Sequence, residues 1–169
     1  DATTIWRAYL EDHSFLKVTQ FDSFKATVGA LAREQNDALE VLRNSDPKYR
    51  RLDRSVLLAL YTSRKALSQV TWDNEFGVNI GSSRGATTLF ENYYDAFQKD
   101  PLAKTATLTS PTTTLGNIAS WVAHDLQATG PAISHSITCS TALHALLNGV
   151  AWLRSGMSNA FLVGGTEAA

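Results

Sequence analysis

Apolar positions recur at helical spacing along several stretches of the chain. Between Leu52 and Val70, the residues Val56, Leu57, Ala59, Leu60, Ala66, Leu67 and Val70 predict a long helix. Thr3-Thr4 followed by Ile5, Trp6, Ala8, Tyr9 and Leu10 predicts a short helix with a threonine cap. Residues 35–44 suit a second short helix, stopping before Asn44-Ser45-Asp46-Pro47. The stretch from Ser14 to Asn36 has no clear period, with Phe15, Leu16, Val18, Phe21 and Phe24 as packing points. Phe76 to Gly81 reads as a strand entering a glycine turn, and Thr87 to Gln98 as a helix. A polar, threonine-rich loop follows from Lys99 to Thr113, then a helix from Leu115 to Leu126 that ends ahead of Gly130-Pro131. Ala132–Thr138 reads as a strand, Ser140–Arg154 as a helix and Ala160–Gly164 as a strand. Strands and helices thus alternate through the second half, the order expected of a layered α/β protein.

One segment stands apart. From Leu126 to Leu153 there is no Asp, Glu, Lys or Arg. Gly130-Pro131 and several polar residues interrupt it, so it is not a membrane span. Its helix carries Leu143, Leu146, Leu147, Val150 and Leu153 with no charged face, and such a helix is expected to be buried all round. Each fully buried Leu or Val stabilises a fold by roughly 1.5–3 kcal/mol.

Cys139 falls where the predicted strand meets this helix. Unpaired N–H groups at a helix start favour a thiolate, by at most about 2 kcal/mol. Desolvation opposes that, so full activation needs a nearby base or cation. Two readings stay open on position alone: a nucleophile, or a small buried hydrophobe.

Composition narrows the classes. The 169 residues are 44% hydrophobic and only 18% charged, which suggests surface covered by other chain or by a partner. A net charge of −1 and no basic stripe argue against nucleic acid, and no apolar run is long enough to span a membrane. The single cysteine excludes an intrachain disulfide and fits a reducing, cytoplasmic setting.

Other motifs are weaker. His135 and His144 flank Cys139, but a metal would lack further ligands of convincing spacing, and none is expected. His13 and His124 read as structural or solvated. Gly81-Ser82-Ser83-Arg84-Gly85 lacks the Lys-Ser/Thr of a phosphate loop and reads as a turn near the core. Glu167 reads as a structural hydrogen-bond partner rather than an acid catalyst.

The string Gly130-Pro131-Ala132-Ile133-Ser134-His135-Ser136-Ile137-Thr138-Cys139-Ser140-Thr141 resembles the active-site region of β-ketoacyl synthases. Leu153-Arg154-Ser155-Gly156 and Leu162-Val163-Gly164-Gly165-Thr166-Glu167-Ala168 follow in matching order. Arg51-Leu52-Asp53-Arg54 resembles the family's Met-Asp-Arg helix opening, and Gly77 to Ser82 with Gly85 its first glycine turn. The resemblance implies a thiolase-like layered α/β/α/β/α fold, of which this chain is the N-terminal half only. It implies that the opening strand and the C-terminal half, with two histidines, a lysine and a glycine-rich loop, lie outside the chain.

The resemblance makes Cys139 the nucleophile that takes an acyl group from acyl carrier protein. A malonyl thioester then loses CO2 and attacks, giving a 3-oxoacyl carrier protein in fatty acid or polyketide-type synthesis, with no cofactor. The Cys139 N–H would supply one oxyanion donor. Thr114 or Leu115 would line the acyl channel. Residues 132–137 would be the strand pairing two subunits, as homodimer or heterodimer. His135 would be a strand residue at that interface and His144 a buried helix residue bonded to backbone. The alternatives are another thiolase-fold acyltransferase primed by acyl-CoA, or a non-catalytic partner subunit. These 169 residues alone are expected to be inactive.

Overall fold

The computed structural model describes residues 2–168, which divide into an N-terminal unit reaching Ala38 and a larger unit from Leu39. In the first unit, α1 (Ala2–Leu10) has no buried residue. Thr3 and Thr4 lie inside this helix rather than capping it. The segment without a clear period is a hairpin: β1 (Lys17–Gln20) pairs antiparallel with β2 (Lys25–Val28), with Gln20 opposite Lys25. Phe21 N–H donates to Phe24 O at 2.8 Å across Asp22-Ser23, and the two rings stack at 5.0 Å. Phe15, Leu16, Val18, Phe21 and Phe24 are all exposed, so the expected packing points are not core. The reason is local for Val18, Phe21 and Phe24: a two-stranded ribbon by itself cannot bury a face.

Helix α2 (Arg33–Ser45) spans the division and buries Leu39 and Leu42. A short 3-10 turn over Pro47–Tyr49 leads to α3 (Arg54–Leu67). Asp53 starts α3: one carboxylate oxygen accepts from Ser55 N–H at 2.8 Å and Ser55 Oγ at 2.7 Å. The other accepts from Leu89 N–H at 3.2 Å, in the first turn of α4 (Thr87–Lys99). One buried side chain therefore caps two helices. The threonine-rich loop contains a further turn of helix, α5 (Thr109–Thr113), which precedes α6 (Asn117–Leu126). Its threonine hydroxyls bond back to carbonyls one turn earlier, so a polar composition did not prevent the helix.

The larger unit holds one parallel sheet in the order β4-β3-β5: β3 (Gly77–Gly81) lies between β4 (Ala132–Ile133) and β5 (Phe161–Gly165). The connection from β3 to β4 runs one way across the sheet, and that from β4 through α7 (Thr141–Arg154) to β5 runs the other. Right-handed crossovers then place α6 and α7 on opposite faces. The strand periodicity agrees. Asn79 bonds to α7, while its neighbours Val78 and Ile80 point to the α6 side. Helix α3 packs against α6, and its start is tied to the end of β5, where Thr166 Oγ1 donates to Ser55 O at 2.8 Å.

Two expectations fail here. The strand predicted over 132–138 ends at Ile133. Beyond it, serine hydroxyls and bent backbone replace the ladder: Ser134 Oγ donates to Ile80 O at 2.7 Å, and Ser82 N–H to His135 O at 3.3 Å. Helix α7 is not buried all round. Its buried residues are Thr141, Ala145 and Gly149, while Leu143, Leu146 and Leu147 are 72%, 53% and 61% exposed. The sheet covers one side, and the small residues are the ones that face it. A Cβ on Gly149 would come within 2.7 Å of Val163 Cγ1, so a larger residue would push α7 off β5.

Candidate active site around Cys139

Cys139 is exposed and sits on a 3-10 turn, Thr138–Ser140, immediately before α7. It is neither a buried hydrophobe nor directly at the end of a strand. Thr138 has φ 47°, the left-handed region. A β-branched residue there is a strained outlier, at a cost of order 1–3 kcal/mol, and persists only where its surroundings fix it.

Those surroundings are specific. The Thr138 carbonyl accepts from Ser83 Oγ at 2.8 Å, from Thr141 Oγ1 at 2.7 Å and from the Thr141 N–H. Thr141 Oγ1 also accepts from Ile137 N–H at 2.9 Å, closing the turn on itself. Ser136 Oγ donates to Ser83 O at 3.0 Å, so the Ser83 loop and the cysteine segment are bonded in both directions. Ser140, at the helix start, makes no side-chain cap, because its hydroxyl turns back to Ile137 O at 2.9 Å. The first turn of α7 therefore keeps N–H groups without a side-chain cap next to an exposed thiol.

The loop after β3 has its own anchor. Glu167 accepts from Ser83 N–H at 2.8 Å and Arg84 N–H at 3.2 Å, which is the structural role expected of it. These N–H groups already hold an internal carboxylate, which further argues against a phosphate site at residues 81–85. Gly81 is obligatory for another reason. A Cβ there would lie 2.3 Å from Thr141 Cγ2 and 2.5 Å from His135 O, where β3 meets the cysteine segment and α7.

The histidines take other roles. His135 is not a strand residue. Its Nδ1 lies 3.1 Å from Asn79 Oδ1 and its Nε2 3.1 Å from Thr141 O. His144 is half-buried, with Nδ1 3.1 Å from Ser140 O. His13 packs edge-on to Phe15 at 4.6 Å, and His124 edge-on to Trp121 at 6.1 Å. Among the described residues no group of three or more His, Cys, Asp or Glu could hold a metal ion.

Thr114 and Leu115 are separated by their surroundings. Thr114 ends α5 and lines a groove of about 1000 Å³ with Lys48, Leu52, Pro111 and Trp121, which Cys139 does not line. Leu115 instead approaches the position of a Cβ on Gly85, 3.0 Å from its Cδ2, in the loop that Glu167 and Ser83 hold.

A family model described as the beta-ketoacyl synthase N-terminal domain matches residues 7–169. The chain belongs to the beta-ketoacyl synthase family. It is 29% identical to 3-oxoacyl-[acyl-carrier-protein] synthase 2 of Coxiella burnetii over 98% of this chain and 41% of that protein. It is 28% identical to nodulation protein E of Rhizobium meliloti over 99% of this chain and 43% of that protein. The chain thus spans about two fifths of the length of these relatives. Among solved structures, the ishigamide ketosynthase/chain length factor superposes with a TM-score of 0.66 at 19% identity, covering 76% of this chain and 38% of that one. The chain has the thiolase-like ketosynthase fold, of which the residues from Leu39 to Ala168 form one parallel sheet with its flanking helices.

Asn79, Ser83, Ser136 and Thr141 were not given functional roles from the sequence. A signal existed for one of them. Asn79 is the one side chain able to hydrogen-bond in an otherwise apolar five-residue strand, where a polar group must find partners.

Proposed function

We propose that the parent protein is a condensing β-ketoacyl-[acyl-carrier-protein] synthase, that residues 1–169 are its N-terminal part, and that Cys139 carries the growing acyl chain. The observation that carries this reading is an exposed thiol on a strained, hydrogen-bonded turn at a helix start without a side-chain cap. The Cys139 thiolate attacks the acyl thioester of a carrier protein, and the carrier thiol leaves. Malonyl carrier protein then loses CO2. Its carbanion attacks the acyl-cysteine carbonyl, forming the new carbon–carbon bond and releasing the Cys139 thiolate. The Cys139 N–H donates to the oxyanion in both additions. Leu115, beside the Gly85 loop, is the better of the two channel candidates.

The short edge strand β4, with Ser136 and Ile137 exposed beyond it, supports subunit pairing through residues 132–137, with a second copy or with a synthase-like partner. In the isolated 169 residues the apolar outer face of α7 is open to water. We expect those residues alone to perform no condensation.

The test is acylation of the parent protein by carrier protein charged with a labelled acyl chain. Label is expected on the Cys139 peptide and absent from Cys139→Ala. Equal label on the alanine variant would overturn the assignment. Substituting acyl-CoA for the charged carrier protein separates the carrier-dependent reading from a CoA-primed one.

A further inference from the structure

We infer that Asn79 and His135 are positioning residues for Cys139, an inference that rests on the reading of Cys139 as the nucleophile. Asn79 is fully buried at the centre of β3. Its Nδ2 donates to Ala145 O in α7 at 3.0 Å, which fixes the amide orientation and turns Oδ1 toward His135. The His135 ring lies between two acceptors, Asn79 Oδ1 and Thr141 O in the first turn of α7, each 3.1 Å from a ring nitrogen, and the single N–H of a neutral ring donates to one of them at a time. An asparagine in the sheet thus holds α7 at the Ala145 carbonyl, and the histidine ring is wedged between that asparagine and the Thr141 carbonyl. Those carbonyls are one helical turn apart, at Thr141 and Ala145.

The placement matters because of what lies beside it. Ser83, two residues past the end of β3, holds the Thr138 carbonyl, and the Asn79–His135 pair holds Thr141. Cys139 and Ser140 are the two residues between these anchors. Ser83 comes from the loop that continues β3, and His135, a residue of the cysteine segment itself, is backed by Asn79 of β3. The central strand, and not the helix itself, therefore fixes where the thiol stands. Without the second anchor, the strain at Thr138 favours relaxation to negative φ, which swings Cys139 away from the α7 N–H groups. Ordinary packing does not require this arrangement, since an apolar pair could fill the same space without a buried amide to satisfy.

The experiment uses the full-length parent protein and three variants: Asn79→Ala, His135→Gln, and Asn79→Ala combined with His135→Leu. The double variant removes both polar partners together and leaves neither one stranded, so it keeps the fold. Cys139 alkylation by iodoacetamide is followed by peptide mass spectrometry, alongside melting temperature, kcat and KM for the charged carrier protein. In the double variant the alkylation rate and kcat are expected to fall about tenfold or more while KM stays unchanged, as for a misplaced reacting group. His135→Gln, which retains one donor, is expected to recover part of the loss. Wild-type alkylation rate and kcat in a folded double variant would overturn the inference. Alkylation does not depend on acyl transfer. A fall in alkylation in a protein whose Cys139 takes no acyl label would therefore support the anchoring and refute the nucleophile reading separately.

Discussion

The two faces of the parallel sheet differ sharply. On one side α6 buries Ile118, Ala119, Val122 and Ala123 and packs against α3, whose Val56, Leu57 and Leu60 are at most 1% exposed. On the other side α7 buries only Thr141, Ala145 and Gly149 and leaves a row of leucines in water. The difference in neighbours explains this better than hydrophobicity, since both helices are apolar and, among the described residues, only α6 packs extensively against another long helix. The polar network differs in the same sense. Every side-chain bond holding the Cys139 turn lies at the α7 end of the sheet, around residues 79–83 and 134–141. The α6 face supplies stability, and the α7 face supplies a positioned thiol beside an apolar surface.

The largest effects should come from core truncation, which can also break the comparison. In the parent protein Ile118→Ala is expected to cost about 2–5 kcal/mol, measured by denaturant unfolding. Leu147→Ala is the matching probe on the other face. If the rest of the parent covers α7, its cost should enter the same range, and that is the expected result. A cost near 0.5 kcal/mol, that of an exposed position, would mean that the outer face stays open in the whole protein.

Helical periods and the strand–helix alternation placed α3, β3, α6, α7 and β5 to within a few residues, because each carries a sustained apolar pattern. The failures share a cause in what the pattern cannot encode. The apolar face of α7 shows that the helix needs covering, but periodicity does not say whether the cover lies among the residues at hand. Ser134, His135 and Ser136 alternate well enough to suggest a strand. Their hydroxyls and ring instead bond to backbone and to Asn79, and serine is well suited to offering such local alternatives. Cys139 stood out through the motif around it. Its turn, its exposure and the Asn79–His135 chain did not, because they depend on contacts more than fifty residues apart in sequence.

A smaller effect, and one that tests the link between helices, is expected at Asp53. Its carboxylate serves the start of α3 and the first turn of α4, so Asp53→Ala removes two sets of bonds with one change. A loss of about 2 kcal/mol is expected, the upper end for a single cap. Asp53→Asn keeps an acceptor oxygen and should recover about half of it in the same unfolding measurement. Equal losses in both variants would mean that the charge and not the hydrogen-bond geometry matters. Because α4 follows the Gly81–Gly85 loop directly, amide exchange at Ser83 and Arg84 is expected to rise in Asp53→Ala and to stay low in Ile118→Ala.

The smallest effect lies outside the α7 face, at the ion pair joining α3 and α6. Arg64 donates through Nε to Asp125 Oδ2 at 2.7 Å and through Nη2 to Oδ1 at 2.6 Å, while the Tyr49 hydroxyl also donates to Asp125. Burial by itself would raise the Asp125 carboxyl, but the bonds from Arg64 and Tyr49 outweigh it and hold it below the usual carboxylate range. Burial first, and then the bond to Asp125, raise the Tyr49 phenol. Because the folded-state carboxyl is depressed, its stabilisation is fully present above the ordinary carboxylate value, about 4. It is lost as pH falls through the lowered folded value, since the unfolded chain takes up the proton first. Arg64 is 43% exposed on its side chain, so solvent screens the pair and the contribution stays near 1 kcal/mol. Asp125→Asn should therefore lower stability slightly at pH 7 and flatten its decline below pH 4. Unfolding curves collected from pH 7 to pH 3 for wild type and variant should converge at the acid end. Parallel curves would show that Asp125 contributes hydrogen bonds alone and that the charge on the α6 side is idle.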